Sequence, residues 1–399
     1  MNCRFRSVLE MVQHSASVWP DKVAVIAGTT VLTYAQLADR MMKGEPLPVP
    51  LLGKAWDADF VLYTTGTTGQ SKGVIVSQKA ALANTENLVS GQSFTHDLVF
   101  IITGAMDHLG CWSKIFPVFM QGATLYILEE GMKDIEAFYR ALDMPLQQYS
   151  LPGNTKFATF LVPANIRILL QFSGERLADY AGTIDFIETG AAPMPHADML
   201  TLCRLLPHSR LYNTYASTET GICATYDYND GRCIPGCLGK PLPHSAFFIT
   251  EEGKIACKGD TLMSGYENAS ELTATVLRDG TVFTGDNGVI DEEGMLHILG
   301  RDDDIINVGG YKIAPTEVEA VAMEFEAVDD CILVAREHKL LGNATCLLVV
   351  LKSGATLDKK ALARHINSQL ERYKVPMYYE TVSSIKRNRN GKIDRKAYR

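Results

Sequence analysis

No CxxC pair occurs among the nine cysteines, there is no excess of positive charge, and no apolar stretch approaches bilayer-spanning length. Each absence closes off a class of function. An odd number of scattered cysteines in a chain of 399 residues reads as reduced, mostly buried thiols rather than a disulfide framework. The one grouping, Cys223, Cys233 and Cys237, has neither a neighbouring histidine nor a CxxC step to complete a tetrahedral metal site. Lys and Arg number 38 against 46 Asp and Glu, a net charge of −8. A broad footprint for nucleic acid or an anionic membrane is therefore not expected, and anionic ligands must be held by local sites. The N-terminal stretch MNCRFRSVLEMVQH breaks its apolar residues with Glu10 and polar groups, unlike a secretory signal, which leaves the cytoplasm as the expected compartment. Internal repeats and long low-complexity linkers are also missing.

What is present alternates strand-like and helix-like segments. VAVIAG and TVLTY, within residues 23–34, predict a strand pair, followed by a helix that Thr33 caps with Gln36 three residues on. DFVLY from Asp59 predicts a buried strand, then comes a Gly/Thr-rich loop, the strand VIV and a helix capped by Ser77. Strands at 183–190 and 211–217, with a helix around Met199 to Leu206 between them, predict a layered α/β body. From His244 the texture changes to short strands punctuated by EEG at 251–253 and 292–294, which predict a smaller antiparallel β element attached to that body. Beyond the charged stretch Arg301 to Asp304, a helix from Pro315 bearing Val318, Val321, Ala322 and Phe325, the strands CILVA and CLLVVL, and a further helix predict a second, small α+β domain.

The segment from Tyr63 to Val74, YTTGTTGQSKGV, places three glycines, four threonines and one lysine between two buried strands. Backbone N–H groups, hydroxyls and an ammonium can there converge on a polyphosphate. Its spacing does not supply G-x4-G-K-[ST], so an ordinary P-loop kinase or ATPase is disfavoured.

With that loop stand other strings in a fixed order: LTYAQL at 32–37, MDHLG at 106–110, VPANIRILL at 162–170, GAAPM at 190–194, YASTE at 215–219, FTGD at 283–286, GRDDDIINVGGYKIAPTEVE at 300–319 and NGKIDR at 390–395. In this order, and over nearly the whole chain, the sequence resembles the acyl-adenylate-forming enzymes, which include acyl- and aryl-CoA ligases, the adenylation domains of nonribosomal peptide synthesis, and firefly luciferase. The resemblance implies ATP-dependent activation of an acyl or aryl carboxylic acid, release of pyrophosphate, and transfer to the thiol of coenzyme A or of a carrier protein's phosphopantetheine. It implies an N-terminal adenylation domain over residues 1–302 and a mobile C-terminal domain over 303–399, hinged at Asp303. Any carrier protein would be a separate chain.

The resemblance also distributes roles. Thr64, Thr65, Gly66, Thr67, Thr68, Gly69 and Lys72 would bind phosphate. Glu219 would hold Mg²⁺, a hard ion suited to carboxylate and phosphate oxygens. Gly190, Ala191 and Ala192 would line the adenine, with Asn213, Thr214, Tyr215 and Thr218 also at the nucleotide. Asp286 would accept hydrogen bonds from both ribose hydroxyls, and Arg301 would add a cation. Lys392 would bridge the substrate carboxylate and the α-phosphate, opposing the repulsion of two anions. The small domain would then rotate so that Val308, Gly309 and Gly310 form a thiol tunnel. Asp107, His108, Leu109, Cys111, Thr189 and Ile222 would form the acid pocket, with His108 gating the carboxylate. Asp107 leaves a second expectation open, an amino-acid substrate whose ammonium it would pair with. A third is a non-catalytic nucleotide- or acyl-binding homologue, against which the retention of Lys72, Glu219, Asp286, Arg301 and Lys392 argues.

Two departures stand out. Only Arg40 to Phe60 separate the LTYAQL helix from the phosphate loop, about a hundred residues fewer than the family usually places there. An edge of one sheet is therefore expected to be bare, or covered by a rearranged helix or by a second subunit of a homo-oligomer. Ala216 stands where the family more often has glycine, a mild narrowing.

Overall fold

The runs VAVIA and LVFII are apolar at every position, so neither face of such a strand can meet water, and both Val23–Ala27 and Leu98–Ile102 are buried throughout. In the computed structural model, which describes residues 3–65, 71–301, 304–339, 341–387 and 393–398, they lie inside one large sheet. Six of its strands run parallel, in the order Arg210–Ser217, Ile184–Gly190, Lys156–Phe160, Leu98–Ile102, Thr124–Ile127 and Val23–Ala27. Thr30–Thr33 closes one end as an antiparallel hairpin partner. At the other end Gly221–Asp227 turns back antiparallel, followed by Cys237–Pro241.

The two EEG hairpins form as expected: Ser245–Ile249 pairs with Lys254–Gly259, and Thr281–Ile290 with Leu296–Arg301. They are not a separate appendage, because Cys237–Pro241 pairs with the body on one side and with Leu296–Arg301 on the other, giving one sheet of fourteen strands. Gly239 permits the junction. Its φ of +92° lies in glycine's territory, and a Cβ there would stand 2.1 Å from the Thr225 carbonyl oxygen.

One apolar core lies on each face of the large sheet. On the first, the helices Gln78–Gln92 and Leu109–Met120 are shared with a second sheet made of Phe60–Thr65, Ser71–Val76 and Gly265–Tyr266. Phe60 meets Trp112 edge-on at 5.1 Å between ring centres. The helix Gln78–Gln92 is capped by Ser77, whose hydroxyl accepts from the Ala80 amide. Its buried Asn84 and Asn87 grip the chain around Ile222 and His244: the Asn84 carbonyl accepts from the Ile222 amide at 2.6 Å, and Asn87 donates to the Ile222 carbonyl at 2.9 Å.

The short segment before residue 60 reaches both a sheet edge and the core. Phe60–Thr65 is the edge of its three-stranded sheet, and its outer side is met by an isolated bridge to Gly53 and by the Val61 amide on the Leu52 carbonyl. Val49 and Trp56, from the short connecting segment, are buried in the first core. The helix Tyr34–Lys43 carries the expected capping box between Thr33 and Gln36.

After Leu296–Arg301 the chain builds a hairpin of Ile306–Val308 and Tyr311–Ile313, then the helix Pro315–Met323. The strands Val328–His338, Gly342–Leu351 and Tyr378–Thr381 form a sheet of their own, against which that helix and Lys359–Gln369 pack in a core separate from the other two. Contact with the body includes Asp330, which sits 3.2 Å from Arg167 of the helix Pro163–Phe172 and accepts from Arg387 at 2.6 Å. Among the described residues no helix is long and apolar enough to cross a membrane.

Candidate active site

Parallel sheets present their ligands at the carboxyl ends of the strands, where the winding reverses. At that end Arg210–Ser217 lies between a parallel neighbour, Ile184–Gly190, and an antiparallel one, Gly221–Asp227. Gly190 stands opposite Thr214, and a Cβ on it would lie 3.0 Å from the Thr214 carbonyl oxygen. The next residue, Ala191, has φ +69°, a left-handed conformation that is costly for any residue with a Cβ. Gly190, Ala191 and Ala192 thus form a tight turn beside the strand ends. Asn213 and Thr214 are buried and already engaged, Asn213 donating to the Cys237 carbonyl at 3.0 Å and Thr214 sharing a hydroxyl contact with Thr225 at 3.1 Å. Their side chains brace the sheet, with only their backbone at the turn.

Following Tyr215 and Ala216, Ser217 and Thr220 exchange amide–hydroxyl bonds of 3.1 Å in a turn that also contains Thr218 and Glu219. The Tyr266 hydroxyl donates to Glu219 Oε1 at 2.9 Å, and Lys72 Nζ lies 5.5 Å from the centre of the same ring. Tyr266 reaches this place because Gly265–Tyr266 pairs with the strand leaving the phosphate loop, Tyr266 opposite Val74. Burial first, and the Glu219 charge second, push the Tyr266 phenol above its ordinary value, so it remains a donor. Glu219 keeps a second carboxylate oxygen, and a hard cation shared with phosphate oxygens fits that donor set. Tyr63, at the start of the loop, donates to Glu267 at 3.1 Å. Of the phosphate-binding residues expected, Thr64 and Lys72 face each other across the hairpin; Gly66, Thr67, Thr68 and Gly69, and the side chain of Thr65, lie outside the described residues.

A second group joins three more expected residues. Asp286 and Arg301 are cross-strand partners, with Nε 3.5 Å from Oδ1, and Tyr215 donates to Asp286 Oδ2 at 2.9 Å. Burial, then the Asp286 charge, raises the Tyr215 phenol. Each carboxylate oxygen still has a lone pair to offer, so Asp286 can accept from a ligand's hydroxyls while held in place.

On the acid side, His108 occupies the N-cap of Leu109–Met120 with Asp107 exposed before it, while Leu109 and Cys111 are buried. Burial pushes the Cys111 thiol up to about 12. Gly110 lies against Phe160, where a Cβ would come within 2.6 Å of the ring. Ile222 is buried and fixed by Asn84. Thr189 is buried, but strand alternation points it with Ile187 into the opposite core from Gly190. The cysteines at 223, 233 and 237 do not form a ligand cluster: Cys223 meets Cys257, Cys233 meets Cys203, and all nine thiols are free.

A family model described as AMP-binding enzyme matches residues 45–267, more than half of the chain. This chain belongs to the AMP-binding enzymes. The model for the AMP-binding enzyme C-terminal domain matches residues 317–392. The chain is 31% identical over 366 residues to a long-chain-fatty-acid–CoA ligase of Bacillus subtilis, covering 89% of this chain and 63% of that one. It is 27% identical to a 2-succinylbenzoate–CoA ligase of a Geobacillus species, over 84% of this chain and 68% of the other. Among solved structures, ATP-bound MatB from Rhodopseudomonas palustris superposes with a TM-score of 0.73 at 28% identity, over 85% of this chain and 67% of that one. This AMP-binding enzyme therefore spans about two thirds of the length of such relatives, 63% and 68% for the two ligases.

In the C-terminal part of this AMP-binding enzyme, Gly309 and Gly310 form the two-residue turn of the hairpin Ile306–Val308 and Tyr311–Ile313, with φ of +55° and +94°. Hairpin geometry alone thus accounts for both glycines. Asp303 and Lys392 lie outside the described residues. Among the described residues nearby, Arg387 bridges to Ile393, and Arg395 grips Glu319 through two bonds of 2.8 and 2.6 Å. The sequence gives no signal for Tyr266, whose two-residue strand has no period, or for Glu267 just after it, nor does its reading single out a buried ion pair between Lys114 and Glu188. Lys114 is the single charged residue of the helix Leu109–Met120, and that mismatch is the available clue.

Proposed function

We propose that the protein activates a carboxylic acid with ATP and passes the acyl group to a thiol. A carboxylate oxygen attacks the α-phosphorus of ATP, the bond to the leaving pyrophosphate breaks, and the acyl-adenylate remains. A thiol sulfur of coenzyme A or of a phosphopantetheine arm then attacks the acyl carbon, AMP departs, and the thiol proton passes to solvent. The observation that carries this reading is the meeting of Glu219, Tyr266 and Lys72 where the phosphate loop returns to the sheet. Lys72 and the loop would hold the β- and γ-phosphates, Glu219 would hold Mg²⁺, and Tyr215, Asp286 and Arg301 would hold the ribose. When bound, Mg²⁺ would neutralise charge on the phosphate oxygens. Lys392 would stand between carboxylate and α-phosphate, carried in by a mobile unit of residues 303–399.

Asp107 is exposed, which weakens the amino-acid alternative, since a solvated carboxylate discriminates little between an ammonium and water. Nine free thiols are in keeping with a cytoplasmic protein. Incubation with ATP, Mg²⁺ and a panel of carboxylic acids should release pyrophosphate and AMP. Release of ADP, or no pyrophosphate with any acid, would reject the reading.

A further inference from the structure

Lys114 and Glu188 form an ion pair of 2.9 Å in which each side chain is 1% exposed. Removing two charges from water is costly, and apolar residues of the same volume usually serve stability as well or better. Adenylation, as assigned above, makes no use of either residue. The pair is also incomplete. Glu188 Oε2 is fully buried with no hydrogen-bond partner. Lys114 has Glu188 and the Ser113 hydroxyl, 3.2 Å away, for three N–H donors, and its ammonium lies 5.5 Å from the centre of the Phe160 ring.

Its position ties it to the acid pocket. Glu188 precedes Gly190 by two residues, so both face the same side of the sheet, and Phe160 is its neighbour on the adjoining strand. Lys114 lies one helical turn beyond Gly110, and the Phe160 ring fills the space between Gly110 and Gly190, 2.6 and 3.8 Å from where their Cβ atoms would stand. We propose that Lys114 and Glu188 form the far wall of the acid pocket and select acids that carry a neutral hydroxyl remote from the carboxyl. This assignment rests on the acid-activating reading of the site.

Charge decides the class of ligand. The pair is neutral as a whole, so a second carboxylate or an ammonium would add an uncompensated buried charge. A hydroxyl fits both vacant valences at once, donating to Glu188 Oε2 and accepting from Lys114 Nζ. Six residues of helix separate His108 from Lys114, a rise of about 9 Å, so the acid is compact. A long alkyl chain would run into the pair and leave its polar atoms unmatched.

The test compares benzoate, phenylacetate and hexanoate with their para-hydroxy or omega-hydroxy derivatives. Two measurements apply: the rise in melting temperature caused by each acid in the presence of AMP, and kcat/KM for pyrophosphate release. In the unaltered protein at least one hydroxy acid should exceed its parent by about tenfold or more in kcat/KM and give the larger thermal shift. The double variant Lys114→Met/Glu188→Met, which removes both charges together, should erase or reverse that preference. Equal response to every hydroxy acid and its parent in the unaltered protein, a measurement that needs no variant, overturns the proposal. So does a preference that survives in the folded double variant. Absence of pyrophosphate with every acid would instead reject the ligase reading, and the thermal shifts alone would then decide the role of the pair.

Discussion

Tyr266 ties together two residues expected at the phosphates, its hydroxyl donating to Glu219 while its ring faces Lys72. Tyr266→Phe keeps the ring and removes the donor. Loss of one hydrogen bond to a charged acceptor is worth about 1.5–3 kcal/mol, so kcat/KM for pyrophosphate release should fall by roughly tenfold or more. The Mg²⁺ concentration for half-maximal rate should rise, because a carboxylate that has lost its orienting partner holds a metal less well. A magnesium titration of the initial rate checks this, and an unchanged titration would mean that Glu219 is not the metal ligand. At this scale the sequence singled out Glu219, Asp286 and Arg301 from their own motifs, and the structure pairs Asp286 with Arg301. It was silent on Tyr266, whose partners lie 47 positions away at Glu219 and at Lys72, on a separate strand.

Among the elements, the hairpin turn at Gly309 and Gly310 carries two explanations, geometry and a thiol path. Gly310 has φ +94° with nothing within 4 Å of an added Cβ, so Gly310→Ala strains backbone alone, at about 1–2 kcal/mol. If the turn also borders the thiol path, thiol transfer should slow by more than adenylation does, as read from separate half-reaction rates. Equal slowing would leave the turn with a purely structural role. The edge strand Phe60–Thr65 gives a second test. Past its contacts with Leu52 and Gly53, its outward amides lack a strand partner among the described residues, and they should exchange with deuterium faster than those of Ser71–Val76. Protection that grows with protein concentration would instead show that a second copy covers the edge. Strands, caps and hairpin turns were legible because period and capping residues are local signals. Continuity of the EEG hairpins with the main sheet was not, since it depends on Cys237–Pro241 pairing on both sides.

For the molecule as a whole, the proposed function requires Lys392 to reach groups such as Lys72 and Glu219, far earlier in the chain. Lys392→Ala should slow adenylation by orders of magnitude and leave thiolysis of a supplied acyl-adenylate nearly intact; equal loss in both would contradict a two-arrangement mechanism. Asp330 links the C-terminal sheet to Arg167 of the body, and any rotation of the C-terminal unit must break that link. Asp330→Asn should therefore move the two half-reaction rates in opposite directions, because it weakens the arrangement described here relative to the other. A parallel loss of both would mark the link as structural.

The order of its motifs already determined that this chain is an AMP-binding enzyme, because such motifs are local and chemically distinctive. Tertiary structure alone decided that Tyr266 orients Glu219, that Val49 and Trp56 enter the core from the shortened segment, and that Lys114 and Glu188 meet behind Gly190. The physical reason is shared by all three. Each is a contact between residues distant in sequence, and its energy comes from burial and pairing that exist only once the sheet and its helices have closed around them.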